Sequence, residues 1–300
     1  MKISVLVILL ACFCAAGCQK ELSVENNGTT PVPSGIGDSI YLDKVIEIWD
    51  GDDTSTSVFN YDNLKRVVSI NQIDRSNGDI LDTSLNKYLY SGPDTLPYKY
   101  TSDYYDKAPF QTIYNIAYDT TFLFWDTQKR LVLDSTISNY GTSAGGFQKD
   151  QIINSTLYAT GAIIYKENTT RIAGSSGGYS PPYIDTAWLD GNNNIINDVS
   201  YVGFPTATPD YKGVYTYDSK PSPYLTLNIF KIFNTNHRHK YWFTPQVNNY
   251  LTFYSEEPTY YTFDFTVQNF YNAKGQLVKA IGYDAVNNST NERYFYYKAL

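Results

Sequence analysis

Phe59-Asn60-Tyr61-Asp62-Asn63-Leu64-Lys65-Arg66-Val67-Val68-Ser69-Ile70 is the stretch whose reading decides the fold. An aromatic strand end meets an aspartate, a short polar turn follows, and a basic residue leads into an aliphatic pair. Asp or Asn at a turn entry accepts a hydrogen bond from the backbone two residues on, and Gly or Asn tolerates positive φ within the turn. The Val or Leu pair re-enters a sheet, while a long Lys or Arg stem lies over a neighbouring aromatic ring. The same order, with the same interval from turn entry to aliphatic pair, recurs at 123–133, 188–196 and 270–279, where the turns open on Asp126, Asp190 and Asn272. Looser copies are read at 90–96 and 165–172.

A single hairpin is marginal in water, so such units must stand side by side to stabilise one another. Thirty tyrosines in 300 residues, with one methionine, suit a pleated, half-wet surface. No long segment carries a 3.6-residue period. The expected fold class is all-β: an antiparallel sheet of stacked repeated hairpins over residues 40–300, twisted or partly wrapped, and exposed on both faces in places.

The units at Tyr61, Trp125 and Tyr271 resemble the tyrosine-aspartate hairpin repeats of bacterial surface proteins, whose consensus runs Tyr-Asp, a spacer, then Gly-Arg-Leu. Further stretches at 90–97, 215–224, 248–250 and 270–278 are similar to a group of Bacteroidota surface lipoproteins built from such hairpins. The match departs from the pattern at Leu189 and at Tyr165. The resemblance implies an architecture and a cell-envelope location, and no reaction.

The N-terminus agrees with that location. Met1-Lys2 gives a positive start, Ile3 to Phe13 an apolar stretch, and Ala15-Ala16-Gly17 small residues before Cys18. This is the layout of a secretory signal whose apolar centre is short for a membrane span. It resembles the bacterial lipobox, so residues 1–17 are expected to be a lipoprotein signal peptide and Cys18 the lipid-attachment residue. All three cysteines lie at or before Cys18, which leaves the remainder without a disulfide or cysteine-based metal site. Residues 18–39 are rich in Gly, Pro, Asn, Ser and Thr, and read as a flexible tether.

Chemistry-bearing patterns are sparse. The formal charge of −7 becomes −8 once Lys2 leaves with the signal, which opposes nucleic-acid binding. The two histidines, His237 and His239, sit among Arg238 and Lys240, and no cysteine or carboxylate beside them completes a metal set. The glycine runs at 145–146 and 174–178 lack the Lys-Ser/Thr of a phosphate cradle. Asp50, Asp52 and Asp53 hint at calcium without the later ligands of a known loop. Asp185 and Asp190 belong to an aspartate-rich set in which no spacing singles out a catalytic pair. Trp188 and Trp242, with Tyr104-Tyr105 and Tyr260-Tyr261, are the candidate ligand-facing aromatics. Five Asp-Ser/Thr triplets, opening on Asp38, Asp94, Asp119, Asp134 and Asp185, match a short O-glycosylation pattern of exported Bacteroidota proteins. The expectation is a non-enzymatic, lipid-anchored envelope module without catalytic residues, cofactor or metal. It would lie at the outer membrane, on either the periplasmic or the exterior side, with the membrane as one partner and a glycan or surface protein as another. Glycan capture for nutrient uptake and a hydrolase are the alternatives.

Overall fold

The computed structural model describes residues 40–49, 53–106, 115–142, 145–174, 182–202, 209–230, 232, 246–256 and 262–300. Sixteen strands follow one another in chain order. They are β1 (Ile40–Trp49), β2 (Asp53–Tyr61), β3 (Val67–Ser76), β4 (Asp79–Leu89), β5 (Lys99–Asp106), β6 (Asn115–Trp125), β7 (Leu131–Thr142) and β8 (Gly145–Ala159). The second half comprises β9 (Ala162–Ala173), β10 (Tyr183–Leu189), β11 (Ile195–Val202), β12 (Tyr211–Pro221), β13 (Asn248–Glu256), β14 (Thr262–Tyr271), β15 (Leu277–Asp284) and β16 (Ser289–Ala299). Each strand pairs antiparallel with its neighbours in sequence, and Ile40 of β1 pairs with Ala299 of β16, so the sheet closes into a barrel. The all-β antiparallel reading holds, and the wrapping is complete where the sequence suggested a twisted or partly wrapped sheet. Closure removes the two unpaired edges that an open sheet would present.

The four strong hairpin copies are one turn repeated. In each, the entry residue's amide donates to the carbonyl four residues on: Asp62 to Arg66, Asp126 to Arg130, Asp190 to Asn194 and Asn272 to Gln276, at 2.9–3.0 Å. The entry side chain accepts from the amides two and four residues on, as Asp126 Oδ1 does from Gln128 and Arg130 at 2.9 Å. The fourth residue lies in the left-handed region: Lys65 at φ 63°, Lys129 at 57°, Asn193 at 66° and Gly275 at 77°. This is a type I turn followed by a left-handed residue, which bulges the preceding strand pair and shifts its register by one. The basic residue also behaves as its stem length suggests, with the Arg66 guanidinium 4.3 Å from the Tyr90 ring and Arg130 4.6 Å from Tyr158.

These turns recur at every fourth strand, between β2 and β3, β6 and β7, β10 and β11, and β14 and β15. Sixty-four residues separate Asp62 from Asp126 and Asp126 from Asp190, whereas eighty-two separate Asp190 from Asn272. A second bond repeats with them. Tyr90, Tyr158, Tyr217 and Tyr297 each donate a phenol hydrogen bond to the carbonyl of Val67, Leu131, Ile195 and Leu277, the residues five after the turn entry. The barrel is thus four copies of a four-strand unit. The looser copy at 165–172 is corrected: Tyr165, Glu167 and Arg171 lie inside β9, facing their partners on β8, and no turn forms there. The one at 90–96 is a rim turn of a different kind, closed by the Asp94 amide on the Ser91 carbonyl.

The extra length in the last interval lies in the connection from β12 to β13. A barrel of eight strands fills with its own side chains, but one of sixteen leaves a lumen. Here the chain fills one end itself. A short 3₁₀ turn at Pro223–Thr226 leads into Leu227, Ile229, Phe230 and Ile232, all buried. Leu227, Ile229 and Ile232 pack into a core with Leu42, Val67, Leu131 and other inward residues from all four units. Plug and wall interlock through the bulges: Asn228 Oδ1 accepts from the Val67 amide at 2.9 Å, and Gln246 Oε1 from the equivalent Ile195 amide at 3.0 Å. Those amides are inward-facing donors left over by the bulge, and leaving them unpaired would be costly. The outer face is mixed, with exposed Phe122, Ile153, Leu157, Val214, Tyr283 and Tyr296 among polar positions. One row of outward neighbours runs Asn60, Ser69, Lys87, Thr101 and Thr120 across five strands, and another runs Thr216, Thr252 and Thr266.

Candidate functional site

Beyond the plug the inward face turns acidic. Strand alternation alone places Asp74, Asp82, Asp106, Asp119, Asp134 and Glu167 inside, because each is an even number of residues from, or paired with, a buried core position. Burial pushes the Asp134 carboxyl up to about 6, although Asn154 donates to it at 2.7 Å. Asp82 stands directly across from Asp106 and is raised as well, by burial first and by the Asp106 side chain second. Only two guanidinium groups answer this charge among the described inward residues on these strands and β16. Arg171 bonds Asp150 and Tyr140, and Arg293 pairs with Glu47 at 2.8 Å.

The most enclosed part of this lining is a pair of carboxyls on β10 and β11. Asp185 faces Tyr165 on β9 and Ser200 on β11. Asp198 sits two residues before Ser200 and faces Gly213 on β12. All five side-chain-bearing partners, Tyr165, Asp185, Asp198, Ser200 and Tyr215, are essentially without solvent exposure. Tyr215 donates to Asp198 Oδ1 at 2.8 Å, and its hydroxyl lies 2.9 Å from that of Tyr211. Gly213 makes this contact possible, since a Cβ there would fall 2.1 Å from the Tyr215 hydroxyl and 2.2 Å from Asp198 Oδ1. Both oxygens of Asp185, Oδ2 of Asp198 and the Ser200 hydroxyl complete no hydrogen bond.

Two carboxylates cannot both stay charged so close together in a dry wall. Burial raises Asp185 first, and the neighbouring Asp198 raises it further; burial also raises Asp198, against the lowering effect of the Tyr215 hydrogen bond. The pair therefore keeps a proton at neutral pH. It has the acid composition of a hydrolytic site but no exposed face that could meet a substrate. Among the described residues, no group of three or more His, Cys, Asp or Glu side chains is placed to hold a metal ion. A separate cavity of about 30 Å³ lies under the plug, lined by Gln246, Asn249, Asn269 and Arg293 together with apolar Val267, Leu277 and Phe295. It has room for a water beside the unpartnered Gln246 Nε2.

The residues singled out from the sequence are scattered. Trp188 stands on the outer wall of β10, 40 % exposed, beside Asn197 of β11. Tyr104 faces inward and Tyr105 outward on β5, where the Tyr105 and Tyr118 rings meet edge to face at 6.0 Å. Asp190 is a turn entry and no partner of Asp185. Cys18, Trp242, His237, His239, Asp50, Asp52, Tyr260 and Tyr261 lie outside the described residues. Asp198 and Gly213 went unnoticed in the sequence, and Tyr215 was read only as the start of the hairpin-like stretch 215–224.

No protein-family profile matches the chain, and no curated protein matches it either. Among solved structures that match is the crystal structure of a porin-like protein from Bacteroides uniformis. It is 8 % identical, with a TM-score of 0.36, over 87 % of this chain and 98 % of that one.

Proposed function

We propose that this chain is a lipid-anchored protein of the cell envelope, held at the outer membrane through Cys18, with its barrel standing outside the bilayer as a non-enzymatic structural or interaction module. The observation that carries the reading is the distribution of polarity in the wall. A barrel that spans a membrane turns an unbroken apolar band about 25 Å tall toward the lipid and keeps its polar residues inside. Here the inside holds an apolar core around Leu227 and Ile229 as well as the acidic lining beyond it, and on the outside polar rows such as Asn60-Ser69-Lys87-Thr101-Thr120 interrupt apolar residues such as Phe122, Ile153 and Val214. A wall of that kind needs an added anchor to stay at a membrane, and the lipobox-like segment ending at Cys18 supplies one. Two or three acyl chains on one cysteine hold stably.

The test is fractionation with acyl labelling. Wild type takes up labelled fatty acid and stays with membranes through a carbonate wash, whereas Cys18→Ser takes up none and is washed off. A Cys18→Ser protein that survived the wash would mean that the barrel itself is embedded, and the reading would fall. The alternative, glycan capture, draws on Trp188 with Asn197 beside it. A glycan array with the Trp188→Ala variant checks it, and binding that disappears with the ring would favour sugar recognition.

A further inference from the structure

We infer that the rim carrying the four repeated turns is a membrane-docking face, which seats the barrel end-on against an anionic phospholipid surface. This rests on the lipid-anchor reading and adds the orientation of the barrel and the residues that hold it.

Both ends of the described chain, Ile40 and Leu300, lie at this rim, so any tether before residue 40 enters the barrel there. On the lipid-anchor reading, residues 18–39 join Cys18 to this rim, so the barrel's anchored end is the turn rim. The rim chemistry matches that position. Two residues before the turn entry, on the outer wall, three of the four units carry an exposed aromatic: Phe124 at 48 %, Trp188 at 40 % and Phe270 at 37 %. Only the first unit has a polar residue there, Asn60. Beyond the aromatics, the turn tips present the exposed lysines Lys65, Lys129 and Lys274. Of the turn aspartates, Asp62 and Asp126 are each held by an arginine at 2.7 Å and by turn amides, Asp190 by turn amides and Asn194, while Asp94 in the neighbouring rim turn is exposed. Aromatics backed by cations are the side chains that settle at a headgroup interface, where a flat ring meets the acyl boundary and an ammonium meets phosphate.

The opposite rim also exposes apolar residues, Ile80 and Val286 among them. Among the described residues its exposed charge leans negative, with Asp53, Asp79, Asp210 and Asp264 against Lys149 and Lys212. Anionic lipid repels that end and attracts the turn rim.

The experiment uses the full chain carrying Cys18→Ser, so that no acyl chain contributes, and sediments it with vesicles of phosphatidylglycerol and phosphatidylethanolamine or of phosphatidylcholine alone. The expected result is binding to the anionic vesicles that weakens with added salt and is absent on phosphatidylcholine. Reversing Lys65, Lys129 and Lys274 to glutamate should reduce it on the order of a hundredfold. Phe124→Ser with Trp188→Ser and Phe270→Ser should reduce it as well, while Ile80→Ser with Val286→Ser on the far rim should change nothing. No binding by the unacylated protein, or equal loss from the far-rim variant, overturns the inference; acyl labelling of wild type through Cys18 would still stand, so the two failures are told apart. Retained circular dichroism in each variant separates loss of docking from loss of fold, and a sugar that competes with vesicles for Trp188 would also overturn it.

Discussion

Removing one turn aspartate tests whether the repeated turns hold the barrel together or merely end its strands. In Asp126→Ala, Oδ1 no longer receives the Gln128 and Arg130 amides, and Oδ2 no longer pairs with the Arg130 guanidinium at 2.7 Å. Both amides lie at a rim that water reaches, so each lost bond is worth about 1 kcal/mol rather than the larger cost of a sealed donor. The ion pair, with side chains 25 % and 21 % exposed, contributes at the surface scale of about 0.5 kcal/mol. The expected loss is therefore about 2–3 kcal/mol, or roughly 5 °C in Tm for a domain of this size. Urea unfolding followed by tryptophan fluorescence measures it directly. Two companions sharpen the reading. Asp126→Asn keeps the amide acceptor, as Asn272 does naturally, and should lose less than about 1 kcal/mol. Lys129→Gly relieves a left-handed lysine at φ 57° and should stabilise by about 0.5 kcal/mol after the entropy of glycine is counted. If Asn proves as damaging as Ala, the charge rather than the turn acceptor is what matters, and the account of the repeat is wrong.

Three further outcomes follow from the interior. Gly213→Ala drives a methyl into the Tyr215–Asp198 contact and should destabilise by about 1–3 kcal/mol, measured by urea midpoint; a neutral result would mean the wall has slack at that point. Asp185 and Asp198 are both raised, so their stabilising contribution is present below the ordinary aspartate value near 3.9 and is lost as pH rises through the folded values. Wild-type Tm should accordingly fall between about pH 5 and about pH 9, with Asp134 adding to the fall only below its value of about 6, and Asp185→Asn should flatten the slope. A Tm that rises over that range would refute the assignment. Ile229→Ala, in the fully buried plug, should cost about 2–5 kcal/mol by calorimetry, and a loss under 1 kcal/mol would show that the plug is not part of the cooperative core.

The four strong turns were legible because their chemistry is local: an aspartate or asparagine, a left-handed position and a re-entering aliphatic pair lie within a dozen residues. The copy at 165–172 misled for the same reason. Lys166, Glu167 and Asn168 have turn composition, yet Glu167 faces an acid-lined lumen and Lys166 faces solvent, so a polar strand reads like a loop. Closure was not legible, since the pairing of Ile40 with Ala299 joins residues at opposite ends of the domain. The carboxyl pair depends on three neighbouring strands and on the missing side chain of Gly213, none of which a linear pattern displays. The apolar residues from Leu225 to Phe230 went unremarked in the sequence, and their place inside the lumen follows only from a strand number that leaves a lumen to fill.

The position of the plug in the chain has a consequence for how the molecule comes to exist. Synthesis delivers the N-terminus first, so β1 waits with an unsatisfied edge until β16 arrives some 250 residues later. Three units emerge before any closing partner, a long interval in which that edge can pair with another chain. The plug emerges between the third unit and the last, before the gap is shut. A piece that must be inside is thereby supplied while the door is still open, and a permuted chain that made the plug last would have to thread it into a finished ring.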